Sequence, residues 1–275
     1  MKTAFKILPQ EAQENPFELL VEVGWDNVSF IYYTSTPLNM RALFVYHVEK
    51  NITPQQLAQE LTSLFAEENL PAHSSVHICY NFKECTFLPS EFYKENSIID
   101  ILAGLYGLNS DTECFAEGAR GMPMQVAYRI DKRISRAMLQ QFPQAVKSHS
   151  FSLQIPALRK LNDCLYVIVY QHSIKLLLFK NDQLQLARFF EYTTPSDVAY
   201  HLLNACTQHE LSPEHCSLAL SGFIDEKSNL YDELYRYFLH IEIDRGDKET
   251  QISQAISQYP AHFFSPLILL VKCVS

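Results

Sequence analysis

The apolar residues near the start of the chain fall into three short runs separated by polar turns. The runs cover residues 17–23, 28–33 and 41–49, and they are rich in β-branched and aromatic side chains. Runs of this length and composition favour β-strands. Because the turns between them are rich in Asp, Asn, Ser and Pro, the pattern predicts three antiparallel strands in a meander.

A helix is predicted directly after the third strand. Thr53 suits the N-cap position and Pro54 suits the first helical position. Apolar residues then recur at helical spacing until the segment closes at Asn69. The apolar run at residues 75–81 predicts a fourth strand.

The second half of the chain repeats this order. Three apolar runs (164–170, 173–180 and 184–192) precede a helix that begins at Thr194-Pro195, and residues 216–221 predict the closing strand. The helical segments align without gaps and share five identical pairs, which are Thr53/Thr194, Pro54/Pro195, Ala58/Ala199, Leu61/Leu202 and Leu70/Leu211. A second match relates residues 134–143 to 252–260 with one residue deleted. We therefore predict an internal duplication, with chance similarity between amphipathic helices as the alternative.

The remaining patterns divide the chain into two domains. Residues 98–105 and 230–238 predict helices, and residues 124–130 and 240–244 predict strands. A chain of 275 residues also exceeds the usual single-domain size of about 100–200 residues. We predict a first domain over residues 1–160 and a second over residues 161–275.

Charge and hydropathy narrow the classes of partner. The formal net charge is −9 and no run of Lys or Arg is present, so no nucleic-acid partner is expected. No apolar run approaches the roughly 20 residues that span a bilayer. Residues 1–16 are too polar for a signal-peptide core, and we expect a cytoplasmic protein without a membrane span.

The cysteine and histidine spacings do not predict a metal site. The seven cysteines are odd in number and contain no Cys-x-x-Cys pair, which argues against a disulfide framework and against zinc. His73 and His77 are four residues apart, but they lie where a loop enters a strand, so surface or capping roles are favoured. The apolar segment 263–271 is open to two interpretations, core or interaction surface, of which core is favoured.

The order of the predicted elements carries a family resemblance. Three antiparallel strands, a helix, and then alternating strands and helices form the order of a ribonuclease-H-like domain. Together with the segments at 17–24, 85–93 and 262–275, this chain resembles an uncharacterised Bacteroidetes family with an actin-like ATPase fold and no assigned activity. The resemblance implies an α/β protein of two tandem ribonuclease-H-like β-β-β-α-β-α units, with an interdomain cleft as in actin, the heat-shock chaperone ATPases and the sugar kinases.

The resemblance also implies that the turn between the first two strands of each half wraps the phosphates of ATP. In the first half that turn offers Glu22 and Asp26 as weak catalytic candidates and Gly24 and Asn27 as nucleotide contacts. The family's Asp just before the glycine is missing, and Trp25 would crowd a phosphate. An ordinary hairpin, with Gly24 easing the bend, is the favoured alternative.

The second half departs further from an ATP site. Its first turn, residues 170–173, has neither glycine nor carboxylate. The turn that would meet adenosine retains Ser221, Gly222 and Asp225 as weak cofactor-binding candidates, although a lone glycine after a strand is usually just a turn. Seven glycines in 275 residues are also few for a fold that needs backbone N–H groups close to phosphates.

These observations leave three hypotheses about function. The favoured one is a non-catalytic, degenerate member of the fold that acts as a scaffold for an unidentified protein partner, with no cofactor. The alternative is a divergent ATPase or phosphotransferase that binds ATP and Mg²⁺ in the interdomain cleft. A module that binds a small molecule in that cleft is a third possibility.

Overall fold

The computed structural model describes residues 1–9, 16–158, 161, 163–244, 246 and 250–275. The chain folds into two compact units. Unit 1 comprises residues 1–156, 251–256 and 274–275, and unit 2 comprises residues 157–250 and 257–273. The predicted boundary at residue 160 lies outside the described residues and stays a prediction.

Unit 1 is built on a seven-stranded sheet with the order β1-β4-β3-β2-β5-β9, to which β15 adds by pairing with β4. Strands β1 to β4 are antiparallel neighbours, whereas β2, β5 and β9 run parallel. The seven strands are β1 (Lys2–Ile7), β2 (Phe17–Gly24), β3 (Asn27–Ser35), β4 (Leu38–His47), β5 (His73–Asn81), β9 (Val146–His149) and β15 (Gln251–Ile252). This topology confirms the predicted meander and the predicted fourth strand, which pairs in parallel with β2.

Two helices of unit 1, α1 and α3, begin after residues whose side chains accept hydrogen bonds from the first N–H groups of the helix. Helix α1 (Pro54–Glu67) has the predicted Thr53 cap, completed by Gln56 in a capping box, and it buries Leu57, Ala58 and Leu61. Helix α3 (Lys132–Gln141) is capped by Asp131. Helix α4 (Ser150–Leu158) follows β9 directly.

A second, three-stranded sheet with the order β6-β8-β7 lies between β5 and α3 in the chain. It consists of β6 (Cys85–Pro89), β7 (Thr112–Gly118) and β8 (Met124–Asp131). Helix α2 (Ile98–Tyr106) packs on it through Ile98 and Leu102, which contact Ala127. Strands β1, β7 and β9 had no counterpart among the predicted elements, because their sequences mix polar and apolar residues without a long apolar run.

Unit 2 contains a five-stranded sheet with the order β12-β11-β10-β13-β14. Its elements are β10 (Cys164–Val169), β11 (Ser173–Lys180), β12 (Gln183–Glu191), α5 (Pro195–Gln208), β13 (Ser217–Gly222), α6 (Asn229–Tyr235), β14 (His240–Ile243) and α7 (Ala261–Val274). The central strand β10 is buried along its whole length, whereas the edge strand β12 is largely accessible. Leu267, Leu270 and Val271 of α7 are buried, so the core interpretation of segment 263–271 is confirmed.

The two sheets share one topology. The strand order β4-β3-β2-β5-β9 in unit 1 corresponds to β12-β11-β10-β13-β14 in unit 2, and both crossover helices begin with a Thr-Pro capping box. The α/β prediction of two tandem sheet-and-helix units is therefore confirmed. The second sequence match is different, because residues 134–141 are helical whereas Gln251–Ile252 form β15 and the following residues form turns.

Candidate functional site

The sequence-predicted residues of unit 1 lie where the parallel strands of its sheet end. Gly24 ends β2 and pairs with Asn81, which ends β5. His149 ends the next strand, β9, and pairs with Tyr80. In open α/β sheets, ligands bind outside the carboxyl ends of such strands, so this edge is the first place to look for a site.

Glu22 and Asn27 form a buried hydrogen-bonded pair at this edge. Glu22 is 1% exposed and Asn27 is 3% exposed. The Asn27 Nδ2 group donates to Glu22 Oε2 at 2.9 Å and to Ser29 Oγ at 2.8 Å. Both hydrogens of the Asn27 amide group are thereby used, so this amide stabilises the buried carboxylate of Glu22 in the same hairpin.

Trp25 and Asp26, the residues at the tip of the hairpin, are held by contacts within unit 1. The indole ring of Trp25 packs edge to face on Phe82, with ring centroids 5.1 Å apart. The Asp26 carbonyl accepts a hydrogen bond from the Val48 N–H at 2.9 Å. The cavity beside Trp25 has a volume of only about 80 Å³, well below the roughly 300–1,000 Å³ of small-molecule sites.

Gly24 is required by the neighbouring strand. A Cβ atom at this position would lie 2.7 Å from the carbonyl oxygen of Asn81, a distance at which the backbone would have to shift. The absence of a side chain therefore lets β2 and β5 approach each other at their ends. This role differs from the predicted easing of a bend, because Gly24 ends a regular strand.

His149 and its neighbours complete the edge, and no sequence signal identified them. The imidazole Nε2 bonds the Phe82 carbonyl at 2.9 Å, while Nδ1 accepts from the Phe151 N–H at 3.2 Å, which fixes the Nε2–H tautomer. Ser150 Oγ donates to Asn81 Oδ1 at 2.7 Å. Parallel pairing of β5 with β9 brings these residues together across about 70 positions of sequence.

Glu117 of β7 connects the small sheet to the beginning of α4. Its carboxylate accepts hydrogen bonds from the His149 N–H and from Ser152 Oγ, the latter at 2.5 Å. Burial raises the pKa of Glu117, and the bonds from Ser152, His149 and Ser148 only partly offset this effect. The acid thus acts as a helix cap supplied by another sheet.

The predicted residues of unit 2 also lie at the end of a parallel strand. Ser221 is fully buried, and Gly222 ends β13 with a φ of +80°. A Cβ atom on Gly222 would lie 2.3 Å from the Val169 carbonyl oxygen of β10. Asp225 is exposed, and its Oδ1 accepts from the Lys227 N–H at 2.8 Å in a turn that precedes α6.

The first hairpin of unit 2 is closed by its own backbone. The Tyr170 N–H donates to the Ser173 carbonyl at 2.9 Å, and the Tyr192 hydroxyl donates to the Tyr170 carbonyl at 2.8 Å. On the same sheet, a cavity of about 360 Å³ lies under α7, and the described residues that line it include Glu242, Asp244 and Lys272.

The described residues include no group of three or more His, Cys, Asp or Glu side chains arranged to hold a metal ion. His73 Nδ1 bonds the Pro71 carbonyl at 3.1 Å, and His77 Nε2 bonds Ser148 Oγ at 3.0 Å. Burial lowers the pKa of His77 to about 4.

Within the described part of the chain, no helix has both the length and the apolar character needed to cross a bilayer.

The geometry places the sequence-predicted residues in two sets, one in each unit. Glu22, Gly24, Asp26 and Asn27 belong to the β2–β3 hairpin, whereas Ser221, Gly222 and Asp225 follow β13. The side chains of Glu22 and Asn27 bind each other, and the two glycines accommodate neighbouring backbone. A nucleotide-binding role for these residues stays a prediction.

Solved structures with the same fold come from several sources. The chain matches a Bacteroides thetaiotaomicron protein with actin-like ATPase fold and unknown function, with a TM-score of 0.76, 22% identity, and 94% and 96% of the two chains covered. The PilM–PilN type IV pilus biogenesis complex matches with a TM-score of 0.59 and 11% identity, covering 93% of this chain and 96% of that one. The ethanolamine utilization protein EutJ from Carboxydothermus hydrogenoformans matches with a TM-score of 0.51 and 8% identity over 96% and 92%.

These likenesses establish the actin-like ATPase fold, and they confirm the resemblance drawn from the sequence. No curated protein sequence matches the chain. A family described as "Protein of unknown function (DUF3822)" matches residues 10–241. The chain therefore belongs to the DUF3822 family and has the actin-like ATPase fold.

Proposed function

We propose that this protein is a non-catalytic member of the actin-like ATPase fold that acts as a scaffold for protein partners. The main support is the β2–β3 hairpin. The side-chain amide of Asn27 donates both of its hydrogens, to Glu22 and to Ser29, and Gly24 accommodates the Asn81 carbonyl. An active phosphate loop needs N–H groups and glycines directed at the ligand. Here the same residue types serve the packing of the unit.

Two further observations support the proposal. The second hairpin, residues 170–173, contains no glycine and closes on its own backbone. The PilM–PilN complex is an assembly between proteins that contains a similar fold. Because a fold does not determine function, this likeness supports only the suitability of the fold for protein contacts.

The proposal includes a cytoplasmic location. All seven cysteines are free, and four of them are buried. Free thiols persist in compartments that keep thiols reduced.

Isothermal titration calorimetry of the full chain with ATP, with and without Mg²⁺, tests the proposal. We expect no heat of binding at ATP concentrations up to about 1 mM, which corresponds to a binding free energy weaker than about −4 kcal/mol. Magnesium-dependent binding with a micromolar dissociation constant would contradict the proposal. ADP and AMP titrations under the same conditions separate recognition of the phosphates from recognition of the nucleoside.

The alternative function is a divergent ATPase or phosphotransferase. It is favoured by the polar side chains of Glu22, Asn27, Asn81 and His149, which gather where parallel strands end. Asp26→Asn and Asp225→Asn variants test it, since each removes a candidate carboxylate with little change in shape. If the purified protein hydrolyses ATP and neither variant changes the rate, these site assignments are wrong.

A further inference from the structure

A polar groove lies between helices α1 and α3 of unit 1. It has a volume of about 560 Å³. Small side chains, Ala58 and Ala137, line it together with polar residues that recur at helical spacing, namely Gln55, Gln59, Thr62 and Ser63 on α1, and Arg133, Arg136 and Gln140 on α3. We call this surface the α1–α3 groove.

The charge of the α1–α3 groove is opposite to that of the protein. The chain carries a net charge of −9, yet among the described residues that line the groove the charged ones are Arg133 and Arg136. Glu60, one of the acids of α1, instead binds the N-terminal amine of Met1. The groove therefore presents a positive surface on an acidic molecule.

Arg136 carries most of this positive charge. The guanidinium of Arg133 is balanced by Asp131, whose carboxylate oxygens lie 2.9 Å from Nε and 2.7 Å from Nη2. Arg136 is exposed, and within the described residues no hydrogen bond or ion pair engages its side chain. A guanidinium of this kind presents five N–H donors that match a carboxylate.

The shape of the α1–α3 groove limits the length of a ligand. Residues 55–63 of α1 and 133–140 of α3 each span roughly 10–12 Å at about 1.5 Å per residue. This length accommodates about three or four residues of an extended peptide, at about 3.3 Å each. The alanines leave room for a peptide backbone, and the amides and hydroxyls offer both donors and acceptors to it.

We propose that the α1–α3 groove binds a short acidic peptide segment of a partner protein, with Arg136 pairing its carboxylate. This inference deepens the proposed scaffold function and rests on it. The N-terminal ends of α1 and α3 also favour an acidic ligand. Pro54 and Asp131 line a common cavity, so the N-terminal ends of α1 and α3 are adjacent, and both favour negative charge nearby.

Selection of random 12-residue peptides displayed on phage against the full wild-type chain tests the inference. We expect the selected peptides to be enriched in Asp and Glu relative to the starting library. A synthetic peptide of the enriched sequence should then bind in fluorescence anisotropy, and its affinity should fall as salt is raised from about 50 to 500 mM, because salt screens exposed charges.

Matched variants locate the binding. Arg136→Glu should weaken the peptide at least about tenfold, whereas Arg188→Glu, which makes the same change of charge on exposed β12 of unit 2, should leave it within about twofold. Gln59→Trp should also weaken binding, because it fills the groove without a change of charge. Circular dichroism melts confirm that each variant is folded.

Several outcomes overturn the inference. They are selection without acidic enrichment, equal weakening by Arg136→Glu and Arg188→Glu, or competition by free glutamate or inorganic phosphate in place of any selected peptide. Peptides selected for another surface overturn the groove assignment and leave the scaffold function intact. Tight Mg-ATP binding contradicts the scaffold function, whatever the peptide result.

Discussion

The two units have the same strand topology, but different residues lie at the corresponding strand ends. In unit 1, four residues, 24–27, separate the paired Val23 and Val28. In unit 2, four residues, 170–173, separate the paired Val169 and Ile174. The loops have equal length, yet the first contains glycine, aspartate and asparagine whereas the second contains none of them.

Each unit has a glycine at this edge, but the glycine belongs to a different strand of the parallel pair in each unit. Gly24 belongs to β2 and faces the Asn81 carbonyl of β5, whereas Gly222 belongs to β13 and faces the Val169 carbonyl of β10. A glycine within a strand often marks a place where another backbone approaches closely. A glycine in this position is thus explained by packing in each repeat, without a ligand.

The largest expected effect comes from Gly222→Ala. The variant adds a Cβ 2.3 Å from a backbone oxygen at a φ of +80°, and we expect the free energy of unfolding to fall by roughly 3–4 kcal/mol. Urea denaturation measures it. Gly104→Ala is the matched control, since its Cβ meets nothing within 4 Å in α2 and should stabilise by about 0.5–1 kcal/mol.

Asn27→Asp tests the hydrogen-bonded pair that only unit 1 contains. The change removes the Nδ2 donor of Glu22 and places a second carboxylate beside it, so we expect a loss of about 2–3 kcal/mol at pH 7 in the same urea experiment. Ser173→Asp at the corresponding loop position of unit 2 provides a comparison. Unchanged stability of Asn27→Asp would show that the pair contributes little to folding.

Gly24→Ala should have a smaller effect than Gly222→Ala. The added Cβ would lie 2.7 Å from the Asn81 oxygen, but the backbone of β2 is regular, so we expect about 1–2 kcal/mol of destabilisation. Thermal and urea unfolding both report it. A variant of unchanged stability that loses a measurable binding of ATP would assign Gly24 to a nucleotide instead of to packing.

The smallest effect is a pH dependence specific to unit 1. Because burial lowers the pKa of His77 to about 4, from about 6.5 in an unfolded chain, the unfolded chain binds the proton more readily. This contribution is complete above pH 6.5 and is lost as the pH falls towards 4. Between pH 7 and pH 5 we expect a loss of about 1 kcal/mol, discounted for partial exposure.

His77→Leu isolates this pH effect. Counted from the aligned helices, the corresponding residue of unit 2 is Leu218, which is fully buried. The variant should lose the part of the pH dependence that His77 supplies, measured by urea unfolding at pH 5, 6 and 7. An identical pH profile in wild type and variant would assign the dependence to other groups.

Local sequence signals predicted the repeated body of the fold. Thr53-Pro54 and Thr194-Pro195 define helix starts within a few residues, and the continuous apolar runs of β2 and β10 define central strands buried on both faces. These signals depend on neighbouring residues alone. They can therefore be recognised without knowledge of the tertiary structure.

Only one part of the candidate site, the β2–β3 hairpin, could be predicted from the sequence. The β2–β3 hairpin could be identified because its residues are consecutive, whereas Asn81 and His149 come from distant strands that only the parallel register brings together. Strand β9 is four residues long and contains Lys, Ser and His, so no hydrophobic pattern indicates it. The function of Gly24 also depends on Asn81, which the hairpin sequence does not reveal.

Strand β15 has a practical consequence for any attempt to divide this protein. Residues 251–252 pair with Asn39 and Met40 of β4, and Ser253 donates to the Met40 carbonyl at 2.9 Å. A fragment that ends near residue 160 would leave this stretch of β4 without its neighbour, and an uncovered strand edge invites aggregation. A workable dissection of unit 1 would restore residues 251–256 through a flexible peptide, so that both ends of one sheet are synthesised together.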